Sequence, residues 1–166
     1  MTKSKIIIAT VVGTIVLFLF DGAIQAIPDF GISAVESLQT NSLTTEQFPE
    51  LSNRMAYIIT DKTVSFVATK PLAYYSLPKF FAIELLSAFI ISLLFAVLFS
   101  KFSTSKLSDR LLLTFVFGFI ATMAIHIPYL NWWGFSILYT IGMTVRTVLG
   151  WLLIVFIQNY FIYKIR

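Results

Sequence analysis

The chain has 166 residues, 58% of them hydrophobic and 12% charged, with a mean hydropathy of +0.87 and a net charge of +4. These values lie outside the soluble globular range and inside the membrane class. With no cysteine and one histidine, thiol relay chemistry, thiolate metal sites, covalent haem attachment and bis-histidine haem are excluded.

Four apolar runs reach about the 20 residues that a helix needs to cross the hydrocarbon core: Ile6–Ile27, Phe80–Phe99, Leu111–Leu130 and Phe135–Tyr163. Lys3 and Lys5 precede the first run and resemble the basic start of a signal peptide, but Asp21-Gly22-Ala23-Ile24-Gln25-Ala26 offers no A-x-A cleavage site, so a retained helix is expected. Where the first helix extends as far as Pro28, the proline is expected to deprive the carbonyl of Ile24 of its helical donor.

The segment from Pro28 to Lys79 is longer than a connector requires, and its aliphatic and aromatic content points to folded structure. Thr44-Thr45-Glu46 reads as a helix start running towards Met55, with Pro49 limiting its regularity. Met55–Thr60 and Thr63–Thr69, separated by Asp61-Lys62, read as a β-hairpin. Tyr74, Tyr75, Pro78 and Phe80 then lead into the second span at interfacial depth.

Lys101, Lys106 and Arg110 mark the short second connection, and Lys164 and Arg166 close the chain. Together with Lys3 and Lys5 these place both termini in the cytoplasm of an inner-membrane protein, with the 29–79 segment outside. The basic residues are membrane flanks, so no nucleic-acid surface is expected. The third and fourth spans join through Pro128-Tyr129-Leu130-Asn131-Trp132-Trp133-Gly134, in which Asn131 and Gly134 supply the turn while Tyr129, Trp132 and Trp133 serve as interfacial anchors.

The run Ile127-Pro128-Tyr129-Leu130-Asn131-Trp132-Trp133-Gly134-Phe135, with a first span that ends in a polar residue and a proline, resembles a family of small, uncharacterised four-span bacterial membrane proteins. The resemblance implies the four-span architecture and carries no activity. The expected fold is an all-α membrane protein: a four-helix transmembrane bundle with a small extracytoplasmic α+β loop domain. Its divisions are a first helix over 1–28, the loop domain over 29–79 and helices two to four over 80–166.

Each span carries one ionisable side chain, Asp21, Glu84, His126 or Arg146. Such a group is costly in a bilayer unless it faces the bundle interior and finds a partner, so the four are expected to meet. At about 1.5 Å per residue, Asp21, Glu84 and His126 share the outer third of the membrane, and Arg146 reaches towards them from deeper in its helix. On every helix the charged residue shares a stripe with small or hydroxylated residues: Ala9, Gly13 and Leu17; Ser87, Ala88 and Ser92; Thr114, Gly118 and Thr122; Gly142 and Gly150. Such stripes let transmembrane helices approach closely.

The cluster admits three uses: fixing helix register, holding a ligand or ion, or catalysis. Two carboxylates and an imidazole suit zinc or manganese, but Arg146 would repel the cation, so no metal and no cofactor is expected. The arginine suits an anionic ligand or a lipid headgroup instead. The aspartates lack the flanking residues of lipoprotein signal peptidases; Asp109 caps the third helix. Nucleophile-elbow, H-E-x-x-H, Walker and Rossmann patterns are absent from the sequence, and no catalytic residue is assigned. The expectation is a bilayer-embedded accessory or interaction component, working with a larger membrane or periplasmic partner or as a homo-oligomer. An oligomeric transporter of a small solute, ion or proton is the alternative, and an intramembrane lipid-acting enzyme a third reading.

Overall fold

The computed structural model describes residues 3–27, 55–59, 61–62, 64–68, 74, 76–101 and 106–164. Its elements are α1 (Lys3–Gln25), a hairpin of β1 (Met55–Ile59) and β2 (Val64–Ala68), α2 (Leu77–Lys101), α3 (Leu107–Trp133) and α4 (Ile137–Asn159), which ends in a π-helical turn over Tyr160–Lys164. Among the described residues four helices are long and apolar enough to cross a membrane. In hydrocarbon every backbone polar group must be satisfied within its own segment, which long apolar helices achieve.

Side-chain burial is inverted relative to a soluble protein. Ile7, Leu19, Phe81, Leu94, Ile120 and Phe156 are exposed, while the interior takes Ala9, Thr10, Gly13 and Thr14 from α1, Ala88, Ser92 and Ala96 from α2, Thr114, Gly118 and Thr122 from α3, and Thr140, Gly142 and Gly150 from α4. The hydroxyls can face inwards because they are satisfied locally: Thr10 donates to Ile6 O at 2.8 Å, Thr14 to Thr10 O at 2.8 Å and Thr114 to Arg110 O at 2.7 Å. Small and self-satisfied residues let backbones approach, which drives helix association where lipid tails are as apolar as leucine. Gly13 shows how close: a Cβ there would run into Ser92 Oγ and come within 2.7 Å of Gln158 Nε2.

Helix α1 packs against α2 on one side and α4 on the other, and α4 packs against α3, so the helices follow the order α2, α1, α4, α3. Contact between α2 and α4 is slight and that between α2 and α3 slighter still, which leaves a seam between two helices that are neighbours in sequence. Mid-bundle, Leu17, Ala88, Phe95, Phe99, Ile154 and Val155 form an apolar core. Ala9, Ala96 and Ile162 form a second, near the end where α1 begins and α4 finishes.

The helix ends depart from the sequence reading in two places. Helix α3 continues through Pro128 and Asn131 to Trp133, so Asn131 is helical and Gly134 alone makes the reversal, at φ 69°. The N–H groups of Gly134 and Phe135 both reach Tyr129 O, and only glycine takes this left-handed conformation readily. Helix α1 stops at Gln25, short of the expected Ile27, so the condition under which Pro28 would free the carbonyl of Ile24 is not met, and Ile27 N–H bonds that carbonyl at 3.2 Å. Pro28 lies outside the described residues. At the other end Asp109 Oδ2 accepts from Lys106 N–H at 3.2 Å, capping α3 as its position suggests.

The hairpin is antiparallel, with Met55 opposite Ala68 and Ile59 opposite Val64. The ring of Phe66 stacks on Trp133 at 5.3 Å with a 7° interplanar angle, which fixes the hairpin over the α3–α4 turn. The helix expected from Thr44 towards Met55 lies outside the described residues, and a two-stranded hairpin does not by itself make the expected α+β loop domain.

Candidate functional site

Arg146 sits on α4 between the buried glycines 142 and 150, and the absence of side chains there lets α1 come close. A Cβ at Gly150 would lie 2.9 Å from Leu17 Cδ1 and 3.2 Å from Phe20 Cδ1. Within that approach Arg146 Nε donates to Asp21 Oδ1 at 2.9 Å. Its Nη2 lies 3.5 Å from Glu84 Oε2, a weaker ion pair across to α2. Gln25, with its amide oxygen turned to the guanidinium, accepts from Nη1 at 3.0 Å and Nη2 at 3.3 Å. Exposure separates the two acids: the side chains of Arg146 and Asp21 are 13% and 19% exposed, that of Glu84 53%.

His126 forms no part of this ion-pair network. It is buried against Tyr129 and Tyr139, with ring centroids 5.9 and 6.1 Å away, both edge-on. All four ionisable residues nevertheless line one cavity of about 310 Å³, together with Ser87, Thr122, Ile125, Thr147 and Trp151. A second cavity of about 290 Å³, lined by Phe18, Gln25 and Phe81, also touches Asp21, Glu84 and Arg146. The ion pairs therefore border two hollows and are not packed shut. Among the described residues no group of three or more His, Cys, Asp or Glu is placed to share a metal ion.

The three aromatic anchors divide. Trp132 projects outwards and is exposed, as an interfacial anchor requires. Tyr129 and Trp133 instead stack on each other at 4.3 Å and 22° and gather Phe135 at 5.4 and 6.2 Å, so they hold the α3–α4 turn and the hairpin together.

Two polar clusters went unread in the sequence. Gln158 Nε2 donates to Ser92 Oγ and Ser92 O, both at 2.8 Å, and to Ala9 O at 3.3 Å, while Ser92 Oγ donates to Thr10 O at 2.9 Å. This ties α1, α2 and α4 together deep in the bundle. Arg110 is buried and not a solvated basic flank, with Nη1 donating to Asn159 Oδ1. The signal for both was the stripe itself: Gln158 continues the series 146, 150, 154, and Arg110 begins the series 110, 114, 118, 122, 126. Gln25 likewise lies one turn beyond Asp21.

Comparison with protein-family models, curated proteins and solved structures finds no match to this chain.

Proposed function

We propose that the chain is a small multi-pass inner-membrane accessory protein, with both termini cytoplasmic and the 29–79 segment an extracytoplasmic domain, and that its polar cluster receives a ligand. The orientation rests on Lys3, Lys5, Lys101 and Lys106, which cluster at the bundle end opposite the hairpin. The ligand reading rests on one observation: Asp21, Glu84, His126 and Arg146 border an open cavity, and Glu84 is half exposed within an otherwise buried network. A cluster that served register alone would be expected to close around its charges, because an incompletely shielded ion pair in a bilayer wastes interaction energy.

Transport finds less support. Leu17, Ala88 and Ile154 form an apolar layer between the Arg146 cluster and the Gln158 cluster, so a polar solute would meet a dry barrier part-way through one bundle. Two measurements test the reading. Tagged protein extracted gently from its native membrane is expected to carry a larger membrane or periplasmic partner in fixed ratio. Liposomes containing the purified chain are expected to show no flux of protons, amines or small anions above that of empty liposomes. Flux that disappears in Arg146→Leu would overturn the proposal in favour of a transporter.

A further inference from the structure

The cavity at the ion pairs does not end there. Ile91, Ala121 and Trp151 line both it and an apolar groove of about 400 Å³ that runs on between α2 and α3, walled by Leu94, Phe95 and Phe117. This groove is the seam left by the helix order, and Leu94 and Phe117 are exposed along it. The cleft is therefore graded. Its polar part lies towards the hairpin end, where Glu84 is two turns into α2 and His126 two turns from the end of α3. Its apolar part lies deeper along the same helices. A phospholipid has that gradient, head at the interface and chains towards the midplane.

Charge narrows the headgroup. One guanidinium faces two carboxylates, and its nitrogens are already engaged by Asp21, Glu84 and Gln25, which leaves the cluster acidic. Among the described residues Glu84 has one ion pair, at 3.5 Å. His126 is 6% exposed, lines the cavity, and its buried Nδ1 has no hydrogen-bond partner among the described residues. The half-exposed carboxylate of Glu84, in a site of net negative charge, calls for a ligand that brings N–H donors and a positive charge.

We propose that the cleft between α2 and α3 seats one phospholipid with a primary-ammonium headgroup, the ammonium received by Glu84 and His126 and an acyl chain lying in the apolar groove. The proposal builds on the reading of the cluster as a ligand site and names the ligand's chemistry. Entry is lateral, through the open seam, so no path from water is needed.

The test uses full-length protein in nanodiscs or micelles, with native mass spectrometry reading the lipid retained. The probes are phosphatidylethanolamine and phosphatidylglycerol of identical chains, and water-soluble phosphoethanolamine. The chain is expected to retain the ethanolamine lipid over the glycerol lipid by about tenfold, as one charge-assisted contact allows. Glu84→Gln, which leaves the Arg146–Asp21 pair intact, is expected to bring the ratio near one. Ala121→Phe, which fills the junction of cavity and groove, is expected to abolish retention of both lipids. Equal retention of both by the wild type, with displacement by Ala121→Phe, overturns the headgroup assignment and leaves the ligand site standing. Retention indifferent to Ala121→Phe, or no retention, overturns the lipid site. Tight binding of phosphoethanolamine that survives Ala121→Phe replaces the lipid with a soluble ligand, and failure of every probe together with unchanged behaviour of Glu84→Gln in the partner assay removes the ligand reading as well.

Discussion

Asp21→Leu takes away the carboxylate that Arg146 Nε bonds at 2.9 Å, where both side chains are largely shielded. Breaking a buried pair on one side costs about 3–5 kcal/mol, because the surviving charge is stranded. Here the stranding is incomplete: Gln25 and Glu84 still face the guanidinium at 3.0 and 3.5 Å. Those contacts recover on the order of 1 kcal/mol, Glu84 contributing the smaller part because half its side chain is exposed. The expected loss is therefore about 2–4 kcal/mol, roughly 30- to 900-fold in the folded-to-unfolded ratio. Arg146→Leu should lose less than the combined Asp21→Leu and Glu84→Gln variant, since carboxylic acids can take up a proton and a guanidinium cannot shed one. Adding Arg146→Leu to that double variant should then recover more than about 1 kcal/mol. The assay is reversible unfolding in mixed micelles by added SDS, read by tryptophan fluorescence. Losses that add to within about 0.5 kcal/mol across the series would refute the coupling and with it the shared cluster.

Three glycines should respond to alanine in graded fashion. Gly13→Ala is expected to lower stability by about 1–3 kcal/mol because Ser92 and Gln158 are held by their own hydrogen bonds and cannot withdraw; Gly150→Ala should lose less, since the ends of Leu17 and Phe20 can shift; Gly22→Ala, with open space around it, should be neutral or slightly stabilising. The same SDS titration ranks them, and an equal response at Gly13 and Gly22 would contradict the packing. Gln158→Leu should destabilise by about 1 kcal/mol, and a cycle with Ser92→Ala should show coupling of about 0.5 kcal/mol or more, in line with hydrogen bonds between membrane helices. Phe66→Ala should release the hairpin from Trp133, seen as faster proteolysis between residues 55 and 68 with helix content unchanged; cleavage as slow as in the wild type would show that the stack is not what docks it.

Helix number and the packed faces were readable in the sequence because both follow from local composition. Ala9, Gly13 and Leu17, or Thr114, Gly118 and Thr122, reveal a packing stripe without knowledge of the partner helix. The approach of Arg146 to Asp21 and Glu84 was legible for a related reason: membrane-embedded charges have few alternatives to one another. The helix order was not legible. Nothing in one stripe says which neighbour it meets, and the order α2, α1, α4, α3 decides that His126 borders the cavity without joining the ion pairs. Gln158 and Arg110 escaped because polarity was sought only in ionisable groups within spans. An amide buried in lipid, or an arginine one turn inside a helix start, faces the same physics.

The pair that holds α1 to α4 joins residues 125 positions apart. At a synthesis rate of roughly 5–20 residues per second, about 6–25 s separate the emergence of Asp21 from that of Arg146. For that interval Asp21, joined about half-way by Glu84, stands without its counter-charge. The fourth helix neutralises the first two, so a chain interrupted before α4 carries its own mark of incompleteness, an exposed acidic face on which a membrane protease or an insertion chaperone can act.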